Sequence, residues 1–469
     1  MRKLLHTLTL VYLLCVVFIS EADGQSVGKG GITPAMIKEM RKSFQLDNAT
    51  RSAMNALAKN DIKDLALNRE ALITSDHFFS HKIKSGDITN QKSSGRCWLF
   101  AGLNMMRPKI IEKYNLKDFD FSENYLFFWD KLEKANFFLE SIIETRKKDI
   151  YDREVEWLLQ HPCPDGGWWH FVVELVNKYG AVPESAMPET NSSGKTGMMN
   201  RLIDRKLRQD AVVLRRMTEE GRNETALRSR KEEMLHEIYR MLAMNLGVPP
   251  TEFQWRYETE DDSVSQAITF TPQDFYSDVV GINLDDYICI FSCPSRDFEK
   301  LYQIRFDRDM FDKQDFTFIN LGIDKLKEYT LASVLDDEPV WFACDVGKED
   351  YVDGGIFAPG IYDYGALYGI DIKLTKEERI VYRESTPNHA MVITGLDMSE
   401  DKPVKWLVEN SWGDERGKDG YWAMRDEWFD EYVYGTILHK KYVPQRVADI
   451  LTTEPTVLPP WDPMYAFTR

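Results

Sequence analysis

Residues 91–100 read QKSSGRCWLF, and within this stretch Cys97 stands between an arginine and a tryptophan. From Cys97 onward Trp98, Leu99, Leu103 and Met106 fall on one helical face, and Pro108 is expected to end that helix. Cys97 would then sit at a helix N-terminus, where the aligned peptide dipoles favour a thiolate. A buried cysteine is usually an inert small hydrophobe. A nucleophilic one needs an imidazole in reach, a group that orients the imidazole, and donors for an oxyanion.

The rest of the chain offers a candidate for each. His389, in TPNHAMVITG, opens an apolar strand, and Asn410, in WLVENSWG, closes the next, with DMSEDKP between them as a hairpin turn. Such a hairpin lays His389 and Asn410 side by side, so that the asparagine oxygen accepts one imidazole N–H and leaves the other nitrogen for Cys97. Gln91 precedes the helix and could share an oxyanion with the Cys97 backbone N–H. Trp412 could cover the His389–Asn410 pair and keep water from it. Each residue alone has an ordinary structural explanation, whereas the ordered set Gln, Cys, His, Asn favours catalysis.

Composition sets the frame. A chain of 469 residues, 43% hydrophobic and 12% aromatic, can bury a large core and is expected to form two or three structural units. Residues 1–22 carry Arg2 and Lys3, an apolar run too short for a bilayer, and small residues near Ala22, the pattern of a secretory signal peptide. Export to a periplasm or to the outside is therefore expected, with no stable membrane span after its removal. Cleavage there leaves 57 basic and 75 acidic residues, a net charge of -18, which makes nucleic acid an unlikely partner and cationic groups such as peptide amino termini suitable ones. Five cysteines remain, Cys97, Cys163, Cys289, Cys293 and Cys344; none has metal-ligand spacing, so neither a metal nor another cofactor is expected.

The texture changes along the chain. Residues 23–75 read as an N-terminal arm. Within 76–190, helices follow Ser122 through YLFFWDKLEKANFFLESIIE and run through HFVVELVNKYG, with Gly180 as a stop. Residues 191–285 begin with two charged amphipathic helices, RLIDRKLRQDAVVLRRM and KEEMLHEIYRMLAMNL, separated near Gly221, and read as a helical insertion. Residues 286–450 hold short β-branched and aromatic runs, PVWFACDV, HAMVITGLDM, KWLVENSW and GYWAMRDEW, which predict an antiparallel sheet or barrel. A proline-rich stretch, EPTVLPPWDPM, leads into the last segment, 451–469.

These motifs resemble the papain superfamily of cysteine peptidases. SGRCW departs from the papain signature at Ser94, where a disulfide cysteine is usual, and 292 residues separate Cys97 from His389, about 140 more than in papain-like enzymes. Both departures are similar to the bleomycin hydrolase and aminopeptidase C branch, as are PDGGWW, FTPQDFY, DYGALYGIDIKLTKEERIVY and LPPWDPM. The resemblance implies an α+β, papain-like fold: a helical half with the cysteine helix, an antiparallel β-barrel half with the histidine and asparagine, and a helical insertion. It implies Cys97 as nucleophile, His389 as base and acid, Asn410 as orienter and Gln91 as oxyanion donor. Gly166 and Gly167 resemble a glycine pair that binds extended substrate, and the other cysteines resemble free core thiols.

The same resemblance implies a homo-hexamer acting on peptides with a free amino terminus, with the C-terminal arm in or near the cleft and its carboxylate, here on Arg469, pairing with the substrate's amino group. The ending YAFTR is bulkier than the small residues usual in that branch. By the resemblance an aminopeptidase is the leading expectation, and the atypical ending opens other readings. Dipeptidyl- or endopeptidase action of the same site, or a catalytically idle assembly protein on the same scaffold, are the alternatives.

Overall fold

A computed structural model describes residues 30–464. The expected signal peptide, residues 1–22, and the segment 465–469 with Arg469 lie outside the described residues. The chain divides into two compact units at the junction of Ala66 and Leu67.

In the first unit two helices, Pro34–Ser43 and Asn48–Leu57, are each started by a side chain that accepts a backbone N–H. Thr33 accepts from Met36, and Asp47 accepts from Thr50 at 2.7 Å. The second unit begins where Leu67 bridges Tyr362 and the Asn68 N–H donates to the Ile361 carbonyl at 2.8 Å.

The helical part of the second unit is built on Cys97–Tyr114, Glu123–Glu144 and Trp169–Tyr179. Ser122 accepts the Tyr125 N–H, and Gly180, at φ 74°, closes the third helix, as the sequence predicts. The first helix corrects an expectation, because Pro108 lies inside it and not at its end. An internal proline costs roughly 3 kcal/mol of helix propensity. Beyond it, however, Ile110 and Ile111 are buried, and Arg107 is tied to Asp120 and Glu409, so tertiary packing carries the helix on to Asn115 in the left-handed region.

The insertion opens with helices Gly197–Glu219 and Glu224–Leu246, joined through Gly221 at φ 79°. Ile203, Leu207, Ala211 and Leu214 on one, and Leu227, Met234, Ile238 and Leu242 on the other, form the apolar stripes that pack onto Glu123–Glu144. Its later part is not helical throughout: Phe253–Trp255 pairs with Ile268–Phe270, and Trp255 and Phe270 pack around Phe275.

The sheet is centred on Val340–Cys344, a strand buried at every position. On one side lie His389–Ser399, Lys402–Glu409 and Tyr421–Arg425; on the other lie Val433–His439, Tyr287–Phe291, Thr317–Asn320 and Lys300–Ile304. Glu400 and Asp401, both at positive φ, form the two-residue turn of the expected hairpin, with Ser399 opposite Lys402. The sheet is mixed and not purely antiparallel. Tyr287–Phe291 with Thr317–Asn320, Tyr421–Arg425 with Ile356–Phe357, and Lys300–Ile304 with Thr456–Leu458 run parallel. These partners come from segments separated by long connections, so no tight hairpin fixes their direction.

Candidate active site

Cys97 is the first residue of its helix and is 3% exposed. Arg96 before it supplies no side-chain cap; its guanidinium makes two 2.7 Å hydrogen bonds to Glu189 and lies over the Phe100 and Phe127 rings. Trp98 behind it donates its indole N–H to the Asp165 carbonyl at 2.9 Å, and its own carbonyl accepts from the Trp341 indole at 3.1 Å. The cysteine helix is thereby pinned to the central strand of the sheet.

That strand brings the histidine in. His389 sits opposite Cys344 in the register, and Cys97, Trp98, Gly167, Trp341, His389 and Ala390 line one narrow cleft. His389 Nε2 lies 2.9 Å from Asn410 Oδ1, and the Trp412 ring packs against the imidazole at a 34° tilt, 4.9 Å between centroids. Asn410 Oδ1 also accepts the Ser411 backbone N–H at 2.8 Å, which fixes the amide's orientation. The hairpin thus joins His389, Asn410 and Trp412 as the sequence suggests.

Gln91 is joined to the same group. Its backbone N–H donates to the Ser411 carbonyl at 2.8 Å, and its side-chain oxygen accepts the Ser411 hydroxyl at 2.7 Å. One of its two amide N–H donors is committed to the Ser94 carbonyl at 2.7 Å, so at most one N–H is available to an oxyanion. Ser94, at the position of the absent disulfide cysteine, donates its hydroxyl to the Gln91 carbonyl and accepts from Arg96 Nε. Among the described residues Cys97, Cys163, Cys289, Cys293 and Cys344 are all free thiols.

Of the glycine pair, Gly167 borders the cleft beside Cys97, and a Cβ there would come within 2.6 Å of the Trp98 ring. The Gly166 carbonyl is taken up by Lys134 Nζ, which donates to it at 2.7 Å. Gly167 is therefore the member of the pair placed to meet a ligand.

Electrostatics modify the expectation of a dipole-stabilised thiolate. Burial pushes the Cys97 thiol up to about 11, with backbone N–H groups including that of Ala390 acting in the opposite sense. Burial also pushes His389 down to about 4, against the hydrogen bond it donates to Asn410 Oδ1. Each charge formed alone in the closed cleft is unfavourable. Moving the proton from Cys97 to His389 creates both charges together, so only the ion pair receives their mutual attraction.

Sequence reasoning missed the polar groups that hold these residues. Asn388, next to His389, donates to Asp345 at 2.6 Å and accepts the Val346 N–H, while Ser385 donates to the other Asp345 oxygen. It missed also the buried Lys131, Lys134 and Asp165 beside the glycine pair. Lysines at 131 and 134 in a helix rich in phenylalanine and leucine were the available signal. The proline-rich tail, for its part, runs over this region. Asp462 pairs with Arg296, Trp461 lies 3.9 Å from the Arg153 guanidinium, and the Pro463 carbonyl accepts from Thr386 at 2.8 Å. Met464, the last described residue, is buried.

Residues 31–465 match the family model described as the Peptidase C1-like family. Aminopeptidase C of Listeria monocytogenes is 40% identical over 411 residues, 87% of this chain and 92% of that protein. Bleomycin hydrolase of Rattus norvegicus is 37% identical over 452 residues, 94% of this chain and all of that one. A crystal structure of PepW from Lactobacillus rhamnosis superimposes with a TM-score of 0.91 at 39% identity, covering 94% of this chain and 100% of the other. The family match over nearly the whole described chain, the helix-borne cysteine and the strand-borne histidine and asparagine agree: this chain belongs to the Peptidase C1-like family of papain-like cysteine peptidases.

Proposed function

We propose that the protein is an exported cysteine aminopeptidase that removes N-terminal residues from peptides. The observation that carries the amino-terminal preference is the path of the tail. The Pro463 carbonyl is held by Thr386, three positions before His389, so the described part of the tail ends close in sequence to a cleft residue. A segment occupying one side of the cleft would leave room for a single substrate residue before the scissile bond. The relatives named aminopeptidase C support the same reading.

Cys97 attacks the carbonyl carbon of the first peptide bond as its proton passes to His389, whose Nε2–H stays on Asn410. The Cys97 backbone N–H and the uncommitted amide N–H of Gln91 face the oxyanion. His389 returns the proton to the departing amine, leaving a Cys97 thioester. Water, deprotonated by His389, then adds to the thioester and expels the thiolate, and the residue leaves as a free acid. Trp412 shields the His389–Asn410 hydrogen bond throughout. Gly167 is positioned to pair with the backbone of the bound ligand.

The test is hydrolysis of an unblocked peptide beside its N-acetylated copy, read by mass spectrometry in the parent and in Cys97→Ala. Release of first residues from the unblocked peptide alone, lost in the variant, is expected. Equal cleavage of both copies would indicate endopeptidase action, and undiminished turnover by the variant would exclude Cys97.

A homo-hexamer is part of the same proposal. The connection before the helix Lys376–Val381 exposes Ile370 at 57% and Ile372 at 54%, and Tyr382, after that helix, is exposed at 78%, apolar surface of the kind a subunit interface covers. Sedimentation of the parent at six chain masses, and of Ile370→Glu/Ile372→Glu at one, is expected. Export is checked by the N-terminus of protein recovered outside the cytoplasm, which should lack residues 1–22; a product retaining them would overturn it.

A further inference from the structure

Asp165 lies between Cys163 and Gly166 and its carboxylate accepts a full set of four hydrogen bonds. Oδ1 lies 2.6 Å from Lys131 Nζ and 2.7 Å from Asn200 Nδ2, while Oδ2 accepts the Thr196 hydroxyl at 2.5 Å and the Gly95 N–H at 3.2 Å. Its backbone carbonyl accepts the Trp98 indole N–H at 2.9 Å. One residue therefore grips the chain on both sides of Cys97, two positions before it and one after.

The neighbouring carbonyls of this loop are held from the same side. Lys131 donates to the Cys163 carbonyl at 2.9 Å, and Lys134, paired with Asp130, donates to Pro164 at 3.2 Å and Gly166 at 2.7 Å. The backbone is thus anchored up to Gly166, and Gly167 is the next residue out, at the cleft. Burial alone would raise the Asp165 carboxyl, but the Lys131 charge and the donated hydrogen bonds outweigh it and hold the group well below the usual carboxylate range.

Buried ion pairs contribute little net stability, because desolvating both charges offsets their attraction. Simple reinforcement of the core is therefore a weak reason for placing Lys131 and Asp165, 0% and 7% exposed at the side chain, beside the nucleophile. Positional definition is a stronger one, and two of the four donors come from the insertion: Thr196 at the entry to the helix Gly197–Glu219, and Asn200 within it. With serine at position 94, no disulfide can tie the cysteine loop down there.

We propose that Asp165 is a positioning residue that sets the spacing between Cys97 and Gly167, and that the helical insertion acts on catalysis through it by way of Thr196 and Asn200. The inference rests on Cys97 being the nucleophile, which is checked separately by loss of peptide turnover in Cys97→Ala.

The experiment measures kcat, KM and the second-order rate of Cys97 alkylation by iodoacetamide, per folded molecule, in Thr196→Val, Asp165→Asn, Lys131→Met and Lys131→Arg. Thr196→Val removes one hydroxyl about thirty residues beyond the glycine pair and is the decisive variant if Asp165→Asn does not fold. Expected are a three- to tenfold lower alkylation rate and kcat in Thr196→Val, a larger loss in Lys131→Met, and partial recovery in Lys131→Arg, which keeps the charge and donors. A folded Thr196→Val with both rates within twofold of the parent, whatever its melting temperature, would reduce the network to a structural role and overturn the proposal.

Discussion

His389 Nε2 and Asn410 Oδ1 lie 2.9 Å apart, with the Trp412 ring against the imidazole. Among the described residues the Asn410 Nδ2 group is buried without a partner, so this asparagine serves the histidine through its oxygen. Asn410→Ala should free the ring to rotate and lower kcat/KM by about 100-fold, within the range general acid–base groups contribute. Asn410→Asp should behave differently. A carboxylate there stabilises the imidazolium, raising His389 from about 4 and moving the acid limb of the pH–rate profile upward by a unit or more. Profiles of kcat/KM for the two variants check both outcomes.

In the parent, burial depresses His389 to about 4. Activity should therefore persist well below pH 6.5 and fall only as the pH approaches about 4, where protonation removes the base. A pH–rate profile with its acid limb at 6.5 or above would contradict a desolvated imidazole.

Acid stability should report a second buried imidazole. His170 stacks on Phe316 at 4.8 Å, meets the Asp307 carbonyl at 3.2 Å, and is pushed by burial down to about 3. Below pH 6.5 the unfolded chain binds a proton at this residue that the folded chain refuses until about 3. Stability is thus unaffected above 6.5 and declines as the pH falls below it, by up to about 1.4 kcal/mol per pH unit for this one proton. His170→Phe keeps the ring stack, and urea titrations at several pH values should show a shallower decline. An unchanged slope would assign the acid sensitivity to other groups.

The motif pairing was legible because it depends on local pattern. CW before an apolar helical face, H-A at the start of a strand and ENSWG at the end of the next each follow from periodicity, and the hairpin between them supplied the proximity. The extension of the cysteine helix through Pro108 was not legible, because the residues that carry it, Asp120 and Glu409 on Arg107, are distant in sequence. The parallel strand pairs and the Asp165 network escaped for the same reason: a charged residue in an amphipathic stretch reads as solvated until the fold buries it. The upward push of burial on the Cys97 thiol escaped because the helix dipole can be read from position, whereas desolvation depends on the walls built by Trp98, Trp341 and Ala390.

Close packing at Gly102 gives a prediction free of catalytic assumptions. Alanine favours helices over glycine by about 1 kcal/mol, yet a Cβ at this position would lie 2.7 Å from Val172 Cγ2 on the neighbouring helix. Gly102→Ala should cost about 1–3 kcal/mol, the range for overpacking a core. In a Val172→Ala background the same change should be neutral or stabilising, and a double-mutant cycle in urea measures the coupling.

Tyr465 to Arg469 follow Met464 in the sequence, and five extended residues reach roughly 17 Å, enough to pass from the Thr386 contact across a peptide-binding cleft. Deleting the residues after Met464 leaves the Arg296–Asp462, Arg153–Trp461 and Thr386–Pro463 contacts in place, so the fold should retain its melting temperature. If the proposed function holds and this segment closes one side of the cleft, its removal would admit residues on both sides of the scissile bond. N-acetylated peptides should then be cut internally, while release of single residues from unblocked peptides falls at least tenfold. A ratio of blocked to unblocked cleavage that does not change on truncation would remove the tail from the mechanism and leave amino-group recognition to residues of the cleft itself.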